Sequence, residues 1–395
     1  MLRTITARAS ALSLVLAVCA SGSIAPALAQ SKAPVNVGLV YSKTGPLASY
    51  GAQYAEGFQA GLDYATRGTG TVNGHKINVT ERDDGGDPAK AVAAAKELIG
   101  QGYKIIAGST ASGVALQMAP LAKENNVLFI SGPAAADAIT GNNRNTFRSG
   151  RQTYQDVLTA GTIAGSNLRG KKVVVLAQDT AFGQANVSAV RAVLGGAGAA
   201  VDGLLVPASA NDFAPFAQKA KDAKPDLLFL AWAGATASAL DKTLAEQGVL
   251  SATKLVTGIA ERSTYAASAP LAGTQLFSYY FYQAPKNKVN DYLVAALKKQ
   301  GKVADLFHPD GFVAAQMIVH AVERADGEDV AKMIGALEGW TFDAPKGRET
   351  VRAADHAMAQ PMFIAKLAGS GTNLEPQLIR TIPSQAVTPP VHPFK

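Results

Sequence analysis

Residues 105–130 read IIAGSTASGVALQMAPLAKENNVLFI, and this stretch contains the pattern from which the fold can be predicted. Its first apolar run, Ile105–Ala107, stops at Gly108, and a second apolar run, Val127–Ile130, ends the stretch. Between the two runs, apolar residues recur at helical spacing over 113–124. A strand, a helix and a second strand in this order form a βαβ unit, in which the strands are parallel and the crossover is right-handed.

The same alternation recurs along most of the chain. Short apolar runs, of the kind found in parallel sheets that are covered on both faces, occur in two series, one on each side of residue 150. The first series comprises 35–40, 77–80, 105–107 and 127–130, and the second comprises 173–176, 201–206, 227–230 and 255–257. Helical patterns separate the runs, so the sequence predicts an α/β fold with two similar lobes.

The division into lobes follows from these two series and from the segments that come after them. We predict that 30–150 plus about 283–345 form lobe 1, that 151–282 plus about 346–380 form lobe 2, and that 381–395 form a C-terminal tail. Because the segments after the second series are shared between the lobes, the chain is expected to cross between them more than once.

Residues 1–29 have the features of a secretory signal peptide. A basic start is followed by the apolar stretch 11–20 and by a small-x-small cleavage site at Ala27–Ala29. The sequence therefore predicts export and cleavage after residue 29. Cys19 is the only cysteine and leaves a lipid anchor open as an alternative, although Val18 is bulky where a lipoprotein signal has a small residue.

The composition argues against several kinds of site. The formal net charge is +7, but the basic residues are spread along the chain with no run longer than two lysines, which does not predict nucleic-acid binding. No cysteine follows the predicted signal peptide, and the five histidines show no metal-ligand spacing. We therefore predict neither a metal site nor a cofactor.

Two serines follow the first apolar run of the quoted stretch, and each could be a nucleophile, a ligand-binding group or a helix cap. Neither Ser109 nor Ser112 fits the Gly-x-Ser-x-Gly frame of a nucleophile elbow. A helix N-terminus has free N–H groups and the positive end of the helix dipole, so it attracts carboxylate or phosphate groups. Ser112, at the start of the predicted helix, is placed to bind such a ligand, and a plain N-cap remains the alternative.

Aromatic residues recur at the ends of predicted strands. Trp232 follows the run 227–230, Phe182 follows the run 173–176, and Tyr50 opens the first predicted helix. Tyr282 belongs to a tyrosine cluster where the second series ends. Each residue could belong to the core, but together they would line the carboxyl edges of two facing sheets, where small-molecule clefts are found.

Several motifs, taken in order, resemble those of periplasmic branched-chain amino-acid-binding proteins. The motifs are VGLV (37–40), TGPL (44–47), YG (50–51), DDGGDP (83–88), SGPAA (131–135), DAPKG (343–347) and DH (355–356). The resemblance implies the solute-binding component of an ABC importer, located in the periplasm. It also implies the type I periplasmic binding protein fold, with two Rossmann-like lobes that are joined by a three-segment hinge and close on the ligand.

The resemblance also implies roles for individual residues. Ser112 matches the serine that binds the ligand carboxylate, with Ser109 close by. The remaining matches are Pro133, Ala134 and Ala135 as a segment presenting backbone groups, Tyr50 and Phe182 as aromatic wall positions, and Trp232 beside another such position. Where the amino-acid binders have a glutamate that pairs with the ligand ammonium, this chain has Ala260, followed by Glu261. If Glu261 cannot turn inward, the ligand is expected to lack an α-amine.

These observations predict a monomeric binding protein rather than an enzyme. Its partners would be a small ligand that carries a carboxylate, either a hydrophobic amino acid or an aromatic or other organic acid, and the membrane permease of an ABC importer. Two alternatives remain: an exported α/β hydrolase, and a ligand sensor for a membrane receptor.

Overall fold

The computed structural model describes Met1, residues 32–371 and residues 373–394. Apart from Met1, the predicted signal peptide over 1–29, with Cys19, lies outside the described residues. No described helix combines the length and apolar character that crossing a membrane requires.

The first series of strands forms a six-stranded sheet. Its strands are β1 (Val35–Tyr41), β2 (Thr71–Val72), β3 (His75–Asp83), β4 (Ile105–Gly108), β5 (Leu128–Ser131) and β6 (Thr146–Arg148), and its helices are α1 (Ala48–Ala65), α2 (Pro88–Gly100) and α3 (Ser112–Glu124). The strand order is β2-β3-β1-β4-β5-β6, and all pairs are parallel except the β2–β3 hairpin. The predicted βαβ unit is β4, α3 and β5, with each bound within one residue of the prediction.

The second series forms a four-stranded parallel sheet in the order β10-β9-β7-β8. Its elements are α4 (Thr153–Ala164), β7 (Lys172–Asp179), α5 (Ala181–Val190), β8 (Ala200–Pro207), α6 (Ala214–Asp222), β9 (Leu227–Ala231), α7 (Ala237–Glu246), α8 (Val249–Ala252) and β10 (Lys254–Thr257). The central strand β9 is buried along its whole length, as its all-apolar sequence predicts. Two parallel sheets with alternating helices confirm the α/β class.

The remaining elements are shared between the two sheets. They are β11 (Gln275–Ser278), α9 (Lys288–Lys298), α10 (His308–Ala325), α11 (Val330–Leu337), β12 (Thr341–Ala344), β13 (Gly347–Val351), β14 (Met358–Ala359), β15 (Met362–Ser370) and β16 (Asn373–Ile382). Helix α10 packs on α1 at very close range, because a Cβ at Gly57 would lie 1.9 Å from the carbonyl oxygen of His308. The strands form two small antiparallel sheets, β12-β13-β14 and β11-β15-β16.

These two small sheets belong to different lobes. Val351 and Met358 are part of the hydrophobic core beneath β1 and α10, whereas Met362 and Ile364 are part of the core beneath the second sheet. The sequence prediction returns the chain to lobe 2 at about residue 346. The packing favours a crossing near residue 360 instead, because β12–β14 bury their apolar side chains on the first lobe.

A buried group of charged and polar residues, which we call the hinge cluster, joins segments at the crossings. Lys346 Nζ lies 3.1 Å from Asp310 Oδ1 and also donates to the side-chain oxygen of Gln360. Gly150, on the first crossing, packs so closely that a Cβ there would lie 2.8 Å from Asp310 Oδ2. Glu349 is fully buried, and neither of its carboxylate oxygens has a hydrogen-bond partner among the described residues. Burial raises the pKa of Glu349 to about 7, against the attraction of Lys346.

The C-terminal segment connects the lobes once more. Val387 lies in the core of the second lobe, while the backbone N–H of His392 donates to the carboxylate of Asp355 at 3.0 Å on the first lobe. The predicted tail over 381–395 therefore packs against both lobes over its described part.

Candidate functional site

The carboxyl ends of the two parallel sheets border a cavity of about 420 Å³. Its wall contains residues that follow β4 and β5 of the first lobe and residues that follow β7, β9 and β10 of the second lobe. Open parallel sheets bind ligands at this edge, and a cavity of this volume suits a small organic molecule.

The N-terminus of α3 forms the first-lobe side of the cavity. Gly108 and Ser109 both have positive φ angles, +119° and +72°, and they turn the chain sharply from β4 toward the helix. No side chain caps the helix at Ala111, and Ser112 and Gly113 line the cavity. The first-turn N–H groups and the positive end of the helix dipole therefore favour an anionic group at this position.

The two predicted serines have different environments. Ser112 lines the cavity, and its Oγ accepts a hydrogen bond from the N–H of Ala136 at 3.2 Å, so its own proton can be donated to a ligand. Ser109 is 1% exposed, lies outside the cavity wall, and donates its hydroxyl proton to the carbonyl oxygen of Ala111 at 2.9 Å. The geometry therefore supports a ligand contact for Ser112 only, because the hydroxyl of Ser109 is used to stabilise the turn.

The segment after β5 contributes two of its three predicted residues to the wall. Pro133 and Ala135 line the cavity, whereas Ala134 is 1% exposed and packs into the core beneath α2 and α3. The carbonyl oxygen of Pro133 accepts from Arg151 Nη1 at 2.8 Å, and that of Ala135 accepts from the N–H of Thr153 at 2.8 Å. Both carbonyl groups thus already have a partner within the protein.

Three of the four predicted aromatic wall residues line the cavity, and the polar atoms of Tyr50 and Trp232 form hydrogen bonds within the protein. The hydroxyl oxygen of Tyr50 accepts from the N–H of Gly234 at 3.0 Å, which joins the two lobes, and burial raises the pKa of Tyr50 to about 12. Trp232 Nε1 donates to Thr236 Oγ1 at 2.9 Å. Phe182 adds a further apolar surface, so this part of the wall suits an apolar or aromatic ligand body.

Tyr282 lies outside the cavity wall, contrary to the prediction. It packs against the apolar cluster of α9 and α10 in the first lobe, and Tyr279, three positions earlier, lines the cavity instead. The ring of Tyr279 lies 4.1 Å from the guanidinium carbon of Arg151, a cation–π contact. The chain leaves the second lobe between the two tyrosines, which is why only the first of them faces the ligand space.

Glu261 also lies outside the wall, because its carboxylate is used between the lobes. Its oxygens accept from Ser49 Oγ at 3.1 Å and from the side-chain amide of Gln53 at 3.4 Å, both on α1. Burial raises the pKa of Glu261, and the hydrogen bond from Ser49 opposes that shift. Ala260 lines the cavity in its place, so this position offers a methyl group and no charge to a ligand ammonium.

Arg151 and Asp156 line the cavity as an ion pair that the sequence analysis did not single out. Arg151 Nε lies 3.3 Å from Asp156 Oδ2, and both side chains are buried. Burial raises the pKa of Asp156 to about 6 even though Arg151 favours the ionised form. The two residues are five positions apart, across the start of α4, and no recognisable motif connects them in the sequence.

Asp241 on α7 is a second wall residue that was missed. It is 8% exposed, and it forms neither a hydrogen bond nor an ion pair with any residue in the described ranges. Burial raises its pKa to about 6. The sequence did contain a signal, since Asp241 occupies the apolar face of α7 together with Ala237 and Leu244, where a carboxylate is unexpected.

The described parts of the chain contain no grouping of three or more His, Cys, Asp or Glu side chains that could hold a metal ion. None of the described histidines lines the cavity, so Ser112 has no histidine beside it in the position of a general base.

Comparisons with known proteins agree with this architecture. A family model described as periplasmic binding protein matches residues 34–372. A Leu/Ile/Val-binding protein homolog of Brucella melitensis is 26% identical over 300 residues, which cover 75% of this chain and 81% of that protein.

Two solved structures from Rhodopseudomonas palustris are also similar. The crystal structure of an ABC-type branched-chain amino acid transporter is 34% identical, has a TM-score of 0.76 and is matched over 91% of this chain and 100% of its own. A solute-binding protein of an ABC transporter in complex with 4-hydroxybenzoate is 23% identical, with a TM-score of 0.81 and coverage of 89% and 97%. These similarities confirm the predicted type I fold with two lobes, and the chain belongs to the periplasmic binding protein family.

Proposed function

We propose that this protein captures a small carboxylic acid with an apolar or aromatic body in the periplasm and delivers it to the permease of an ABC importer. The observation that carries the proposal is the uncapped N-terminus of α3, which opens into a cavity between two lobes. An anion bound there receives peptide N–H groups and the hydroxyl of Ser112 in surroundings with little water, where such bonds are strong.

The chemistry of the wall favours an acid without an α-amine. The position at which the amino-acid binders carry a glutamate presents Ala260, and Glu261 is held by Ser49 and Gln53. Relatives with the same fold have been solved with 4-hydroxybenzoate, 3,4-dihydroxybenzoic acid and benzoate. The aromatic side chains of Tyr50 and Trp232 suit ligands of that shape.

We propose that the protein is a monomeric binding protein, not an enzyme, that works by a hinge mechanism, and contacts between the lobes support the hinge. Gly234 donates to Tyr50, and Ser49 donates to Glu261, each pair joining the first lobe to the second. A ligand that contacts both walls stabilises the closed arrangement by its differential affinity for it. The permease would then recognise the closed form.

The test is a binding series on the full chain with benzoate, 4-hydroxybenzoate and leucine. Thermal shift identifies which acid stabilises the protein, because binding to the native state raises its melting temperature. Calorimetry then compares wild type with Ser112→Ala, for which we expect about 10- to 100-fold weaker binding of that acid after loss of a donor to a buried carboxylate.

Ser251→Ala is the matched control, because Ser251 is exposed on α8 and lies outside the cavity wall. This variant should bind like wild type. Unchanged affinity in Ser112→Ala, or stabilisation by none of the acids, would contradict the proposal.

A further inference from the structure

Asp241 is an unusual component of the cavity wall because nothing in the described protein compensates its carboxylate. Almost all buried polar groups in proteins have a hydrogen-bond partner. The carboxylate oxygens of Asp241 have none within the described protein, and they are not sealed from the cavity, so a group in the cavity can supply one. Asp156, the other carboxylate of the wall, has Arg151 at 3.3 Å. Asp241 has no such cation, although it is 8% exposed.

The surroundings of Asp241 are mostly apolar and belong to the second lobe. Trp232 and Leu271 pack in the same cluster, and both line the cavity. The polar wall residues of the second lobe include Thr236 and Ser268; the hydroxyl of Thr236 accepts from the indole N–H of Trp232. The position of Asp241, five residues into α7, is beyond the first turn in which helix N–H groups would stabilise an anion.

The cavity is therefore electrically asymmetric. The first-lobe wall has the positive N-terminus of α3, while Arg151 and Asp156 neutralise each other. Among the described residues, the second-lobe wall has one carboxylate with no cation beside it, Asp241. A ligand whose carboxylate lies at α3 is thus held at its other end by a wall that offers an acceptor for hydrogen bonds and attracts positive charge.

We infer that Asp241 is a specificity-determining residue, which accepts a hydrogen bond from a donor group on the ligand, a hydroxyl or a protonated amine, at the end remote from the ligand carboxylate. The inference rests on the proposed function and narrows the ligand class to acids that carry such a donor. An acid without one leaves Asp241 buried and unpaired, and the site discriminates against it for that reason.

The experiment measures dissociation constants by calorimetry for benzoate, 4-hydroxybenzoate and 4-(aminomethyl)benzoate. Wild type is compared with Asp241→Leu, which has a similar volume and no acceptor, and with Asp241→Asn, which keeps a neutral acceptor. We expect wild type to prefer at least one donor-bearing acid over benzoate by about tenfold or more. In Asp241→Leu that preference should fall below about threefold, while benzoate binding is retained or improved.

Asp241→Asn should keep part of a preference for the hydroxyl but lose any preference for the ammonium group, a pattern that a general loss of structure would not produce. Glu246→Gln, on the exposed side of the same helix, is the control and should bind like wild type. Equal binding of all three acids by wild type overturns the inference, and so does a preference that survives in both Asp241 variants. If no acid binds to wild type, the proposed function fails together with the inference. If the acids bind and Ser112→Ala weakens their binding, but the Asp241 variants give one of the overturning results, only the role of Asp241 is refuted.

Discussion

Asp241 and Glu349 are carboxylates with no hydrogen-bond partner in the described structure, but only the oxygens of Glu349 are fully buried, whereas those of Asp241 can be reached from the cavity. Asp241 borders the cavity and has no cation near it, whereas Glu349 is sealed inside the hinge cluster beside Lys346. Burial raises the pKa of each, to about 6 for Asp241 and to about 7 for Glu349.

The difference shows how to distinguish a buried charge that serves ligand binding from one that belongs to the framework. A ligand donor can reach Asp241, and its hydrogen bond compensates the unfavourable desolvation of the carboxylate in the complex. Glu349 can be relieved only by protonation or by the neighbouring ammonium group, both of which act in the empty protein. The two sites should therefore respond differently to substitution, to pH and to ligand.

The largest effect is expected when the framework site loses its cation. Lys346→Met leaves Asp310 and Glu349 buried without a positive partner, and breaking a buried ion pair in this way costs about 3–5 kcal/mol of unfolding free energy. Urea denaturation measures the change. Lys332→Met, which removes an exposed lysine 3.8 Å from Asp329, is the control and should cost at most about 0.5 kcal/mol.

A loss of less than about 1 kcal/mol in Lys346→Met would mean that the hinge cluster does not hold the crossing segments together. Glu349 could then no longer be contrasted with Asp241 as a carboxylate that belongs to the framework of the fold.

The second-largest effect is expected in the pH dependence of the unfolding free energy, which should differ between the two carboxylates. The pKa of Glu349 is raised from 4.5 to about 7, so folding favours its protonated form, and wild type should lose up to about 3 kcal/mol of unfolding free energy as pH rises through this window. Glu349→Gln should remove most of that loss. Asp241→Asn should remove a separate loss between 3.8 and about 6, the window set by the pKa of Asp241.

Urea unfolding at closely spaced pH values from 4 to 8, with and without the bound acid, checks this prediction. The acid should diminish only the loss that belongs to Asp241. A pH profile that is the same in wild type and Glu349→Gln would show that Glu349 has an ordinary pKa in the folded protein.

The smallest effect is expected from an uncharged contact between the lobes, which gives a reference for the two larger effects of the buried charges. Tyr50→Phe removes the acceptor of the Gly234 N–H between the lobes, so closure should weaken by about 1 kcal/mol and ligand affinity by about fivefold. The free energy of unfolding should change by less than about 0.5 kcal/mol if hinge opening exposes that N–H to water. Tyr292→Phe, on an exposed ring, is the control; a loss of affinity in both variants would contradict a role for the contact.

Local sequence patterns predicted the regular elements well, because each is determined mostly by near neighbours. Helix α3 begins at Ser112 where 113 was predicted, and β9 extends one residue beyond the predicted run 227–230. The lobe of β12–β14 was harder to assign, since it depends on which apolar surface Val351 and Met358 meet after a long connection. That choice is made by tertiary packing and leaves no local signal.

In the candidate site, too, some residues could be predicted from local sequence and others depend on tertiary packing. Ser112 could be placed because a strand end and a helix start are both visible in the sequence. Arg151 and Tyr279 come together only in the folded chain, from separate crossings between the lobes, and could not be paired by spacing. Glu261 was a candidate ligand residue whose direction the sequence left open, because that direction depends on Ser49 and Gln53 of the opposite lobe, more than 200 positions away.

The C-terminal segment also limits how far the cleft can open. Val387 anchors the segment in the second lobe, and the carbonyl oxygen of Pro389 accepts from Arg352 Nη1 at 2.7 Å on the first lobe. These anchors are two positions apart, and a fully extended chain of that length spans about 7 Å. Beyond that separation, one anchor would have to detach. The segment therefore limits how far the two lobes can separate at these anchors. It does not oppose closure, because a connection of this kind restricts only longer distances.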